Sequence, residues 1–148
     1  MDKTPNPTIL LVGQTTISCQ EIRKALRKAK LEHKIIKTAG LEKVRALLKK
    51  EKGITVVLCC EKDLLDGTTW REVLEHALTT EFRPSVIVCS RLADERLWAE
   101  ALNLGAYDVL RSEPLVHDEL VRVIGSAHRF CPQNGVSRGK TKSAWPTS

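Results

Sequence analysis

The residues of this chain that could do chemistry stand at the ends of three apolar runs. Gly13-Gln14 follow Ile9–Val12, Cys59-Cys60 come at the end of a run that starts at Ile54, and Ser90 closes Ser85–Ser90. Each run is unbroken and rich in β-branched residues, which is how strands of a parallel sheet covered on both faces read. In such sheets reacting groups sit just outside the carboxyl ends of the strands. A carboxylate there could attack a phosphoryl group or hold a metal ion, yet the first two ends carry none. A thiol, a neutral amide and a hydroxyl remain. Glu61, Asp63 and Asp66 follow in the loop after the second run.

Cys59 is the sharpest of these candidates for new chemistry. Its thiol, with Cys89 on the neighbouring strand, is expected at the sheet's carboxyl edge. It would act as a nucleophile or oxidant sensor only in electropositive surroundings that lower its pKa, and Arg111 is the nearby cation the sequence offers. The five cysteines, Cys19, Cys59, Cys60, Cys89 and Cys131, are odd in number and follow no zinc or CxxC spacing. They read as reduced side chains that behave as small hydrophobes. His33, His76, His117 and His128 fall on different elements, so no metal site is expected. The stretch Val12–Thr16, VGQTT, lacks the second glycine and the lysine of a phosphate-binding loop.

The elements that position these groups alternate β-α five times. Strands are predicted at Thr8–Val12, His33–Thr38, Ile54–Cys59, Ser85–Cys89 and Tyr107–Leu110. Helices are predicted at Ser18–Lys30, from Leu41 to a stop at Gly53, at Thr69–Leu78, at Ala93–Leu104, and from just after Pro114 to His128. Ile22, Ala25, Leu26 and Ala29 keep helical spacing and form a buried stripe. Thr68 or Thr69 is suited to cap the third helix. Gly53 and Gly105 are suited to the left-handed position that ends a helix. The weak second strand reads as an edge. Residues 1–7 read as a flexible lead-in and 131–148, rich in Gly, Ser, Pro and Lys, as a disordered tail. Short connections and right-handed crossovers favour a doubly wound α/β sheet in one domain, residues 8–130.

At 148 residues and 42% hydrophobic content, the chain supports one core of ordinary composition. No apolar run reaches the roughly 20 residues that span a bilayer, and MDKTPNPT lacks a hydrophobic signal segment. The chain is therefore expected in the cytoplasm, away from membranes. The net charge of +6 is unevenly spread. Arg23, Lys24, Arg27, Lys28, Lys30, Lys34, Lys37, Lys43, Arg45, Lys49, Lys50 and Lys52 are opposed only by Glu21, Glu32, Glu42 and Glu51. These basic helices read first as a solvated face and second as a footprint for RNA or an acidic partner. The stretch has no aromatic residue on which bases could stack, so nucleic acid is not the leading expectation.

Residues 8–130 resemble the receiver domain of bacterial two-component response regulators, the CheY-like family. Asp66-Gly67 match the family's Asp-Gly pair, GAYDVL at Gly105–Leu110 its Gly-Ala-x-Asp-Tyr-Leu stretch, and PLVHDEL at Pro114–Leu120 its Pro-Phe-x-x-x-Glu-Leu helix start. The resemblance implies a flavodoxin-like (βα)5 sandwich whose five-stranded parallel sheet runs in the order 2-1-3-4-5. It also implies an acidic pair after strand one, a phospho-accepting Asp ending strand three, a Ser/Thr ending strand four and a Lys ending strand five. Here the acidic pair falls on Gly13 and Gln14. The phospho-acceptor, seven residues before Asp66, falls on Cys59. Ser90 retains the Ser/Thr switch position. The lysine falls on Ser112 or Glu113, depending on where one extra residue is placed, and Arg111 beside them is no substitute for lysine.

An acyl phosphate needs a carboxylate nucleophile, and Mg²⁺ needs oxygen ligands, usually carboxylates. The chain thus reads as a degenerate, or pseudo-, receiver without catalytic residues, metal or cofactor. It is expected to act in phosphorelay signalling by phosphorylation-independent contact with a signalling protein or with a second copy of itself. The resemblance places that contact on helix four, strand five and helix five, with Trp98, Tyr107 and Arg111 as candidate interaction residues. Two other readings stay open. One is a repurposed pocket around Cys59, Cys89 and Ser90 that senses a ligand or oxidant. The other is binding of RNA or an acidic partner through the first two helices.

Overall fold

The computed structural model of the protein describes residues 6–13, 18–62 and 64–131. Gln14, Asp63 and all but the first residue of the expected tail lie outside these residues. Ten elements alternate along the chain: β1 (Thr8–Val12), α1 (Cys19–Lys28), β2 (Lys34–Thr38), α2 (Leu41–Lys50), β3 (Ile54–Cys60), α3 (Trp70–Thr79), β4 (Ser85–Ser90), α4 (Glu95–Asn103), β5 (Asp108–Arg111) and α5 (His117–Phe130). The strands form one parallel sheet in the order β2-β1-β3-β4-β5. This is the flavodoxin-like (βα)5 arrangement.

Side chains alternate across a strand, so an unbroken apolar run feeds two cores. Ile9, Leu11, Val56, Leu58, Ile87 and Cys89 face α1 and α5, where Ile22, Leu26, Leu120, Val123 and Ile124 meet them. Leu10, Val12, Val57, Cys59, Val86 and Val88 face the other layer, where Val44, Trp70, Val73, Leu74, Leu97 and Ala101 close over them. β3 and β4 are buried along their whole length. β2 lies at the sheet edge with Lys34 and Lys37 exposed and Ile35 and Ile36 half-buried. Charged side chains on an edge strand discourage further strand pairing.

Local chemistry sets the helix ends. Thr69 caps α3 in a reciprocal pair with Glu72, each side chain accepting from the other's backbone N–H. Thr68 instead accepts from Leu41 N at the start of α2. α4 starts at Glu95, two residues later than its periodicity predicts, because the Asp94 side chain accepts from Leu97 N. α5 begins only at His117, and β5 is shifted one residue toward Arg111. Gly105 has the left-handed φ expected of it, at 113°. Gly53 does not: α2 gives way to extended backbone at Glu51, and the left-handed residue after α1 is Lys30, φ 60°. The expected boundaries also shift at both chain ends. Pro7 is buried and its carbonyl accepts from Lys34 N, and Cys131, read as the first residue of the tail, is buried against the Phe82 and Arg83 carbonyls.

Candidate functional site

Parallel register brings the strand ends to one edge. Val12 lies opposite Cys59, Cys59 opposite Val88, Cys60 opposite Cys89, and Ser90 opposite Arg111. β3 runs one residue past Cys59, and the ladder continues into Glu61, whose N–H donates to Cys89 O at 2.7 Å. Ser112 N donates to Ser90 O at 2.9 Å on the other side. Between them opens a cavity of about 790 Å³, lined by Glu61, Lys62, Cys89, Ser90, the β4–α4 loop, Ser112 and Glu113.

Ser90 is the hub of this edge. Its hydroxyl donates to Glu61 Oε1 at 2.7 Å and accepts from Ala93 N at 3.3 Å. One side chain therefore ties the end of β3, the end of β4 and the approach to α4. Glu113 plays a similar part across the cavity. Its carboxylate pairs with Arg91 Nε at 2.8 Å, and its carbonyl accepts from Arg111 Nε at 3.0 Å. The guanidinium groups of Arg91 and Arg111, beside and opposite Ser90, are thus engaged within the protein.

Cys59 does not reach the cavity, contrary to the sequence-based expectation. It is fully buried in the core beneath α2, α3 and α4, with Val12 and Val88. Strand alternation is the reason, because a residue one short of the strand tip, facing a covered layer, points into packing. Burial first, then the neighbouring Cys60, pushes its thiol well above the ordinary value. Cys89 does line the cavity, but burial and then the Cys60 and Cys59 thiols raise it in the same way. Both stay protonated, and a protonated thiol is a poor nucleophile. The side chain that meets Ser90 is Glu61, two residues beyond Cys59. The sign of this in the sequence was the second cysteine, which lengthens the apolar run and carries the strand end to Glu61.

Gly13 is confined by packing. A Cβ there would lie 2.5 Å from Cys60 Sγ, and its φ is 150°. An acidic side chain at 13 and Cys60 cannot share this space. Among the described residues, no group of three or more His, Cys, Asp or Glu side chains is placed to hold a metal ion.

Solved receiver domains share this arrangement. The signal receiver domain of a protein described as a Luxo repressor from Vibrio parahaemolyticus superposes with a TM-score of 0.71 at 18% identity, covering 84% of this chain and 92% of that one. The receiver domain of the Francisella response regulator 1452 gives 0.68 at 17%, covering 84% and 98%. The signal receiver domain of an HD domain-containing protein from Pseudomonas fluorescens Pf-5 gives 0.66 at 22%, covering 83% and 94%. The chain has the CheY-like receiver fold. No family model matches the sequence, and a comparison with curated proteins finds no match.

Within this receiver fold, the candidate interaction residues do not form one patch. Trp98 is partly buried on the core beneath α2, α3 and α4, while Tyr107 packs on the opposite core and tilts against Phe130 with ring centroids 5.1 Å apart. Arg111, at the end of β5, is exposed. The large apolar side chains most open to solvent nearby are instead Leu92, 67% exposed in the β4–α4 loop, Val116 at the start of α5, and Leu104 at the end of α4. Periodicity could not find them, because they lie at element ends. No helix among the described residues is long and apolar enough to cross a membrane.

Proposed function

We propose that this protein is a pseudo-receiver of two-component signalling that works by protein–protein contact and takes no phosphoryl input. The Glu61–Ser90 hydrogen bond carries this reading. A serine hydroxyl has one proton to donate, and here a neighbouring carboxylate takes it. In an ordinary receiver the phosphoryl group would arrive on the carboxylate that ends β3. In this chain Cys59 holds that place by sequence and lies in the core, while the Glu61 carboxylate accepts the hydrogen bond of the Ser90 hydroxyl. The acidic pair is replaced at Gly13 and Gln14, and Mg²⁺ is not part of the proposed working site. The lysine place is taken by Ser112 or Glu113.

The β4–α4 loop is consequently held by groups of the protein itself, in one arrangement rather than in a phosphorylation-dependent equilibrium. The contact surface is the α4–β5–α5 face, with Leu92, Leu104, Val116 and Arg111 on it. It suits a cytoplasmic signalling protein or a second copy of this chain. Incubation with Mg²⁺ and acetyl phosphate followed by intact mass measurement tests the reading. The expected result is unchanged mass at every donor concentration. A stoichiometric gain of one phosphoryl group overturns it, and fragment mapping would then ask whether Glu61 is the acceptor.

A further inference from the structure

The corner between α1 and β2 has a different character from the carboxyl edge. A groove of about 420 Å³ is lined there by Arg23, Arg27, Lys30, Leu31, Glu32 and His33. Arg23 and Arg27 stand one turn apart on α1 and so share a face. Lys30 follows at the left-handed position that ends the helix, φ 60°, with Lys30 N donating to Arg27 O and Leu31 N to Leu26 O, both at 2.8 Å. That turn folds Leu31–His33 back beside the helix and closes the groove.

Among the described residues, no carboxylate pairs with Arg23, Arg27 or Lys30. Glu32 shares the groove, and its Oε1 accepts from Asn6 Nδ2 at 3.5 Å. His33 is held by one nitrogen only. Its Nδ1 lies 3.0 Å from the Leu31 carbonyl, an acceptor, so Nδ1 carries a proton and donates it. Its Nε2 is buried with no hydrogen-bond partner. Compensation of the helix dipole accounts for cations in the last turn, Arg27 and Lys28. It does not account for Arg23, a turn further in.

We infer that the α1–β2 groove is a binding site for a phosphate group, held by the guanidinium groups of Arg23 and Arg27 and the Lys30 ammonium, with His33 in its wall. Planar guanidinium forks match phosphate oxygens two at a time. The lack of aromatic side chains from Gln20 to Gly53 points to recognition of the phosphate itself and not of a base. The phosphate could belong to a small phosphorylated molecule or to a nucleic-acid backbone, and the groove chemistry is the same for both. The inference rests on the groove alone and does not depend on the pseudo-receiver reading.

The test is an NMR titration of the full chain with pyrophosphate at constant ionic strength, following backbone amides and the His33 ring. Saturable shifts confined to residues 23–33 are expected. They should weaken about tenfold in Arg27→Gln, the loss of one charge-assisted contact, and vanish in the Arg23→Gln/Arg27→Gln pair. Lys49→Gln/Lys50→Gln, on α2, should leave them unchanged. Shifts that never saturate, or that weaken equally in the α2 variant, overturn the site and leave only a diffuse basic face. Competition then separates the sources. A short RNA duplex that displaces pyrophosphate supports the site with a backbone phosphate as its ligand, and one that does not displace it supports the site with a small phosphorylated ligand.

Discussion

The carboxyl edge of the sheet and the α1–β2 corner are both polar, and they differ in where their polar groups find partners. At the edge, Ser90 meets Glu61 and Ala93, Arg91 meets Glu113, and Gly13 leaves room only for Cys60. At the corner, three cations and an imidazole nitrogen have no partner among the described residues. Groups paired within the chain hold its shape, while cations without a carboxylate partner are free to meet an anion from outside. The carboxyl edge is thus the more internally paired of the two, and the corner that composition reads first as a solvated face is the less.

Substitutions sharpen this contrast, and the largest effect should come at Gly13. Gly13→Ala places a Cβ against Cys60 Sγ at a backbone φ that side chains rarely adopt. It should cost about 3 kcal/mol, read as a lower urea midpoint. Arg27→Gln, at the exposed corner, should change stability by less than about 0.5 kcal/mol while still weakening phosphate binding. A tolerated Gly13→Ala would mean that packing does not close the edge.

Glu61→Ala comes next. It removes the acceptor of the Ser90 hydroxyl at a site that water can enter, so the loss should be about 1 kcal/mol. The sharper readout is amide exchange at Ala93, which should accelerate as the β4–α4 loop loses its tie. Unchanged protection there would separate the Glu61–Ser90 bond from the state of α4.

The smallest effect is the dependence on alkaline pH. Burial raises the Cys59 and Cys89 thiols well above their ordinary 9.0. Native thiols therefore hold their protons where unfolded ones release them, so the unfolded chain binds fewer protons and stability falls as pH rises past about 9. The contribution is complete below that pH. Thermal melts between pH 7 and 10 check the sign. Native iodoacetamide treatment at neutral pH should label neither thiol, and labelling of Cys59 before unfolding would restore the sensor reading of the pocket.

Most of the fold was legible in the residues. Unbroken runs such as Ile54–Cys60 and Ser85–Ser90 can be satisfied only by a sheet covered on both faces, and helical stripes such as Ile22, Ala25 and Leu26 supply the cover. Element ends were less legible. The start of α4 depended on a hydrogen bond from Leu97 N to the Asp94 side chain, and the end of α2 was set at Glu51 instead of by a left-handed glycine.

Periodicity and composition by themselves determined that the chain builds one parallel sheet covered by helices on both faces, that its first two strand ends carry no acids as far as Cys60, and that its cations cluster in the first third. Those properties depend on residue type and spacing, which the chain carries locally. Tertiary structure alone decided which side chains meet. Ser90 and Glu61 lie 29 positions apart, and only the β3–β4 register brings a hydroxyl within 2.7 Å of a carboxylate. It likewise sent Cys59 inward, because a strand gives each face every second residue, and one residue of extra strand length decides which side chain stands at the tip.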